Sequence, residues 1–159
     1  MEYDISNTDS FAHQGIVILN VFIAIVLAAL VGFERESNNK PAGLRTNMII
    51  AAVAVLLVSL GRGLAHEFST IEGVRIDPIR IIEAIIVGVS FIGAGTIIKA
   101  RENNDVYNLT TAATLLFSAG IGVAVALKQY LLDVGVTGIA LFINFGVKWL
   151  EIKYQNRKK

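Results

Sequence analysis

Two stretches of this chain, residues 15–33 and 109–127, each run for 19 positions without an Asp, Glu, Lys or Arg. Wound as a helix at 1.5 Å per residue, each would be about 28 Å long, close to the hydrocarbon thickness of a bilayer. In lipid every backbone N–H and C=O must be satisfied internally, which leaves helices or a closed barrel. Barrel strands alternate apolar and polar residues, and these runs do not. The chain therefore reads as an all-α integral membrane protein. Its charged fraction of 17% agrees, since a soluble domain carries about 25%. A net charge of +1 offers no basic patch for nucleic acid. With no cysteine there is no disulfide framework and no thiolate site.

Five spans are expected, at about 15–33, 41–60, 79–98, 109–127 and 131–150. Together they form one membrane domain over 15–150, between a short outer segment 1–14 and a basic tail 151–159. The positive charges set the orientation. Arg35, Lys40, Arg45, Lys99, Arg101, Lys148, Lys153, Arg157, Lys158 and Lys159 fall on one side, and Arg62, Arg75, Arg80 and Lys128 on the other. The Lys/Arg-rich side is cytoplasmic, so the N-terminus is expected outside and the C-terminus inside, as an odd number of spans requires. Pro41 suits the first turn of span two, and Asn108 suits the N-cap of span four.

Polar residues gather at the expected cytoplasmic ends: Glu34-Arg35-Glu36, Arg45-Thr46-Asn47, Lys99, and Asn108 with Thr110 and Thr111. Singly, each reads as an interface anchor. As a set they read as an ion-pair network or a seat for a phosphate or carboxylate. A cation site fits poorly, because Glu34, Glu36, Glu102 and Asp105 face five positive charges in the same two loops. In such a network Arg45 is expected to compensate Glu34 or Glu36.

Within the spans, Glu83 and Asp133 are suspects as intramembrane acids. Arg80 lies three residues before Glu83 on the same helix face, and Asp133 is near enough to a span end to reach water. Asn20 and Asn144 read as interhelical hydrogen-bond partners, or as ligands. Small residues recur as well. Thr114, Ser118, Gly122 and Ala126 form a stripe on span four, and Ala84, Gly88 and Gly95, with Gly93 beside them, form one on span three. Both suit close helix packing within the bundle, or a homodimer surface or a groove for another protein's helix. No motif for catalysis, metal binding or a cofactor appears, so no catalytic residue, metal ligand or cofactor is assigned.

Glu34-Arg35-Glu36 followed by Pro41-Ala42-Gly43-Leu44-Arg45-Thr46-Asn47 resembles the first inner loop of the MgtC/SapB family of bacterial inner-membrane proteins. Residues 88–98 and 109–115 resemble its third-span motif and the start of its fourth span. The similarity covers roughly residues 15–150, with Asn108 where the family usually has glycine and Leu116 where an aromatic is common. The resemblance implies a multi-pass protein of the bacterial inner membrane, linked to low-magnesium adaptation, acid tolerance and survival in host cells. It also implies action through other membrane proteins, including the ATP synthase. The best-known members carry a soluble C-terminal domain, so the membrane domain alone is expected here. The expected function is non-enzymatic: modulation of a membrane partner in magnesium- or stress-linked adaptation, with the lipid bilayer as surroundings and a homodimer as a further assembly. The alternative is a transporter or channel for Mg²⁺ or another small ion.

Overall fold

A computed structural model describes residues 11–68, 77–99 and 107–156. They form five helices: α1 Phe11–Ser37, α2 Leu44–Phe68, α3 Ile79–Lys99, α4 Leu109–Ala126 and α5 Tyr130–Asn156. There is no strand among the described residues. The first four helices are long and apolar enough to cross a membrane, and α5 contributes a further apolar stretch over Tyr130–Gly146. The five expected spans thus correspond one to one with helices.

Pro41 is a correction. It lies in the α1–α2 loop, three residues before α2, and not in the first turn of the helix. The chain reverses there because α1 closes on Asn39, whose φ is 53°. The Asn39 N–H donates to Glu36 O (3.0 Å) and the Lys40 N–H to Arg35 O (3.0 Å). This pair of bonds is the Schellman closure that satisfies the last carbonyls of a helix. Asparagine tolerates the left-handed backbone better than most residues. The same closure ends α4: Lys128 has φ 62° and donates to Val125 O, while Gln129 donates to Ala124 O.

α4 is the central helix and touches the other four. Nine of its 18 residues are buried. The core gathers Ala24, Ala28 and Val31 of α1, Ala51, Val55 and Val58 of α2, and Leu115, Ile121 and Val125 of α4. Small residues make this possible. A Cβ at Gly122 would lie 2.7 Å from Ala54 Cβ and overlap the Ala51 carbonyl oxygen. Thr114, Ser118, Gly122 and Ala126 are all buried, so this stripe packs inside the bundle against α2.

The stripe on α3 behaves differently. Gly93 is buried and its Cβ position lies 3.2 Å from Ala112 Cβ of α4. Gly88 and Gly95 are exposed, with nothing within 4 Å of a Cβ at either. Among the described residues, close packing of these two within the bundle is absent. α3 meets α4 at Gly93, and its Ile85 and Val89 are buried in the shared core, whereas Gly88 and Gly95 lie open.

α1 and α5 pair in parallel. The Tyr130 hydroxyl donates to Asn20 Oδ1 (2.8 Å), and Asn144 Nδ2 donates to Glu34 Oε2 (3.1 Å). Both bonds join residues 110 apart in the chain, so one register runs the length of the contact. The two bonds are fourteen residues apart on each helix, two heptads or about 21 Å. Asn20 and Asn144 therefore act as interhelical hydrogen-bond partners.

Candidate functional site

The end of α1 carries two buried charges. Glu34 and Arg35 are 3% and 5% exposed. Arg35 Nε donates to Glu34 Oε2 at 3.0 Å, and its Nη1 reaches Thr114 Oγ1 of α4 at 3.5 Å. Thr114 Oγ1 in turn donates to Thr110 O (2.7 Å). Asn38 Nδ2 donates to Glu34 Oε1 (2.6 Å), and Asn144 of α5 donates to Oε2. Each carboxylate oxygen of Glu34 is engaged, and the pair joins α1 to α4 and α5. A buried ion pair is tolerated only when such extra hydrogen bonds satisfy what remains of both groups.

Glu36, two residues on, points to another side and does another job. Its Oε2 accepts the backbone N–H of Leu44 (2.8 Å), one of the donors that the start of α2 would otherwise leave unpaired. Space for this depends on Gly43, where a Cβ would lie 2.7 Å from Glu36 Oε2. Gly32 lets the same corner close, since a Cβ there would lie 2.7 Å from Leu44 Cα. Asn47 is buried in the first turn of α2. Its Nδ2 donates to Ala42 O (2.6 Å) and Gly43 O (2.8 Å), and its Oδ1 accepts from Ser118 Oγ of α4 (2.7 Å). One asparagine thereby holds the loop and fastens it to α4.

The structure thus brings together Glu34, Arg35, Glu36, Asn47 and Thr114, with Thr111 buried nearby on α4. Arg45 and Thr46 stand apart, exposed in the first turn of α2. The guanidinium that compensates Glu34 belongs to Arg35 and not to Arg45, because Arg35 lies on the face of α1 that α4 and α5 cover. Thr110 is exposed and contributes only its carbonyl. The Lys99 side chain lies outside the described residues. Asn108 precedes α4 but does not cap it with its side chain; its Nδ2 donates instead to Thr96 O of α3 (3.3 Å).

The two intramembrane acids also separate. Glu83 is exposed, and no ion pair joins it to Arg80, also exposed. Asp133 is buried, as an intramembrane acid would be and not as a residue that reaches water. Sequence reasoning missed Asn38, Tyr130 and Arg62. Arg62 Nη1 donates to Ala126 O (3.2 Å) and so helps close the far end of α4. The Asn38-Asn39 pair after an apolar helix was a readable C-cap signal; nothing in the sequence pointed to the other two. Among the described residues no group of three or more His, Cys, Asp or Glu could hold a metal ion.

A family model described as the MgtC family matches residues 21–153. The chain belongs to the MgtC family. The match contains the whole Glu34–Asn47 corner and the α4 stripe. Protein MgtC of Salmonella typhimurium is 39% identical over 127 residues, covering 80% of this chain and 50% of that protein. Protein SapB of Bacillus subtilis is 38% identical over 115 residues, covering 72% and 49%. YhiD of Escherichia coli, whose description proposes a magnesium transporter, is 32% identical over 121 residues, covering 76% and 54%. The chain spans about half the length of these relatives. No solved structure matches it significantly. Within an MgtC-family reading, the asparagine at 108 has a backbone cause: its φ is 66°, a conformation that glycine adopts freely and asparagine adopts at modest cost.

Proposed function

We propose that this chain is the membrane module of an MgtC-type protein of the bacterial inner membrane. It acts without catalysis, in magnesium- or stress-linked adaptation, by contacting another membrane protein. The observation that carries this reading is the state of the buried acid at the Glu34 end. Both oxygens of Glu34 already receive hydrogen bonds from Arg35, Asn38 and Asn144. Magnesium is typically held through one or two carboxylates with waters in an octahedral shell. To supply one, Glu34 would have to give up its bond to α5 and its hold on Arg35, which reaches α4. The Lys/Arg distribution supports placing this end in the cytoplasm.

The outer faces of α2 and α3 support the partner part of the proposal. A groove of about 990 Å³ runs between them, lined by Val53, Leu57, Ile81, Ile85 and Val89 among others, and Gly88 borders it. The second reading is a Mg²⁺ transporter, favoured by the description given to YhiD. Reconstituted vesicles loaded with a Mg²⁺-sensitive dye separate the two. The proposal expects dye signal equal to empty vesicles, and crosslinking in membranes to join the chain to a second protein in a magnesium-dependent way. Protein-dependent Mg²⁺ entry would overturn it.

A further inference from the structure

Among the described residues, two buried side-chain polar atoms have no hydrogen-bond partner. Asp133 and Thr137 of α5 are 4% and 2% exposed, and Asp133 Oδ2 and Thr137 Oγ1 each lack a hydrogen-bond partner. The residues are four apart, so they stack on one face of the helix. The register of α1 against α5 puts them at a definite depth. With an offset of 110 residues, Asp133 comes level with Ile23 and Thr137 with Leu27. They lie between the Tyr130–Asn20 bond and the Asn144–Glu34 bond, against an apolar stretch of α1.

Among the described residues, no charge on the helices packed against α5 compensates the acid. The helices packed on α5 are α1 and α4. α1 has no titratable residue between His13 and Glu34, and α4 has none from Leu109 to Ala126. On α5 itself the nearest such group is Tyr130, whose hydroxyl is given to Asn20. Among the described residues the cations at that end of the bundle are Lys128, in the turn before α5, Arg62, bonded to Ala126 O, and Arg80, exposed on α3, which does not pack on α5. None donates a hydrogen bond to Asp133 Oδ2. An uncompensated carboxylate in such surroundings is costly, and so is an unpaired hydroxyl.

A bond from the Thr137 hydroxyl alone would leave the charge buried; a single proton removes the charge and pairs the two atoms as well. We propose that Asp133 is an intramembrane proton-binding site in which the carboxyl O–H donates to Thr137 Oγ1. Binding takes one proton from a hydronium ion of the bathing solution, which is left as water, and converts the carboxylate to a carboxylic acid; no other covalent bond changes. Side chains at i and i+4 have Cβ atoms about 5–6 Å apart, so a rotamer change joins them. Release of the proton obliges the carboxylate to find water, which means drawing the first turns of α5 away from α1 and α4. The seating of α5 is thereby linked to proton uptake.

Infrared difference spectra of the full chain in bilayers, with aspartate carboxyls ¹³C-labelled, test this. The wild type should show a labelled carboxylic-acid carbonyl band in mildly acidic buffer that is lost in alkaline buffer. The band should disappear in Asp133→Asn, and move to higher frequency without loss in Thr137→Val, which removes the acceptor. If Asp133→Asn does not fold, Asp133→Glu keeps an acid at the site and must lose the labelled band while gaining an unlabelled one. A labelled band that survives either Asp133 variant would overturn the site. So would a carboxylate signal that answers to Na⁺ or Mg²⁺ and not to pH. A Thr137→Val band at the wild-type position would overturn the role given to Thr137.

Discussion

The stripes of small residues on α3 and α4 look alike in sequence and meet opposite fates. On α4 the stripe is the wall of the core, where Gly122 lets the backbone of α2 come so close that no side chain fits between. On α3, Gly88 and Gly95 face outward, and only Gly93 touches a neighbour. In water such a difference would be marked by polar residues on the outer face. In a bilayer it is not, because lipid tails are as apolar as leucine and exert no pull on which face turns inward. A small-residue stripe in a membrane helix reports that close approach is allowed, and its environment decides whether close approach occurs.

The comparison can be broken most directly at Gly122. Gly122→Leu should lose at least about 3 kcal/mol, since the clash is with backbone and overpacking already costs about 1–3 kcal/mol where side chains can yield. The yield of monodisperse protein after detergent extraction is the readout; a normal yield would mean that α2 and α4 are not in contact. Next comes the ion pair that α4 helps to bury. Arg35→Ala should cost about 3–5 kcal/mol by leaving Glu34 buried without a cation, whereas Arg45→Ala should leave the unfolding midpoint unchanged. Equal effects of the two in a thermal unfolding series would return Glu34 to the surface.

A smaller loss is expected at Ser118. Ser118→Ala removes one hydrogen bond to Asn47 and should cost about 0.6–1.7 kcal/mol, the range found for bonds between membrane helices. A double-mutant cycle with Asn47→Ala should show that the two losses are not additive. The least effect belongs to α3. Gly88→Leu should leave folding and yield as they are, because the position is open. If it abolishes crosslinking to a partner while folding is kept, the α3 face is the contact surface of the proposed function. Loss of folded protein from Gly88→Leu would erase the contrast between the two helices.

The helices themselves were legible because bilayer thickness leaves so little freedom. The positions of α1 and α4 follow from where charges stop and start, whereas α2, α3 and α5 carry Arg45, Glu83 and Asp133 within their spans and follow from the apolar stretches around them. The Pro41 error came from treating proline as a helix start when a left-handed Asn39 had already turned the chain. The site was half legible. The Glu34–Asn47 loop stood out as polar residues crowded against apolar runs, but which arginine goes inside could not be read. Arg35 and Arg45 both flank a span. The rotation of α1, set by contacts with α4 and α5 far along the chain, buries one and leaves the other outside. Whether Asp133 is an intramembrane acid or reaches water could not be read for a related reason. Proximity to a helix end suggests access to water, yet its side chain points inward between α1 and α4.

The bonds at the Glu34 end also differ in how long the chain must wait to make them. Those that close α1, turn the loop and begin α2 join residues no more than eight apart: Lys40 to Arg35, Leu44 to Glu36, Asn47 to Ala42. Those from Arg35 to Thr114, from Ser118 to Asn47 and from Asn144 to Glu34 span 79, 71 and 110 residues. Synthesis proceeds from the N-terminus at about 5–20 residues per second. The first two helices can therefore be a finished hairpin seconds before their distant partners leave the ribosome. During that interval Glu34 and Arg35 have only each other and Asn38. The arrival of Asn144, the latest of these contacts to be made, completes the corner.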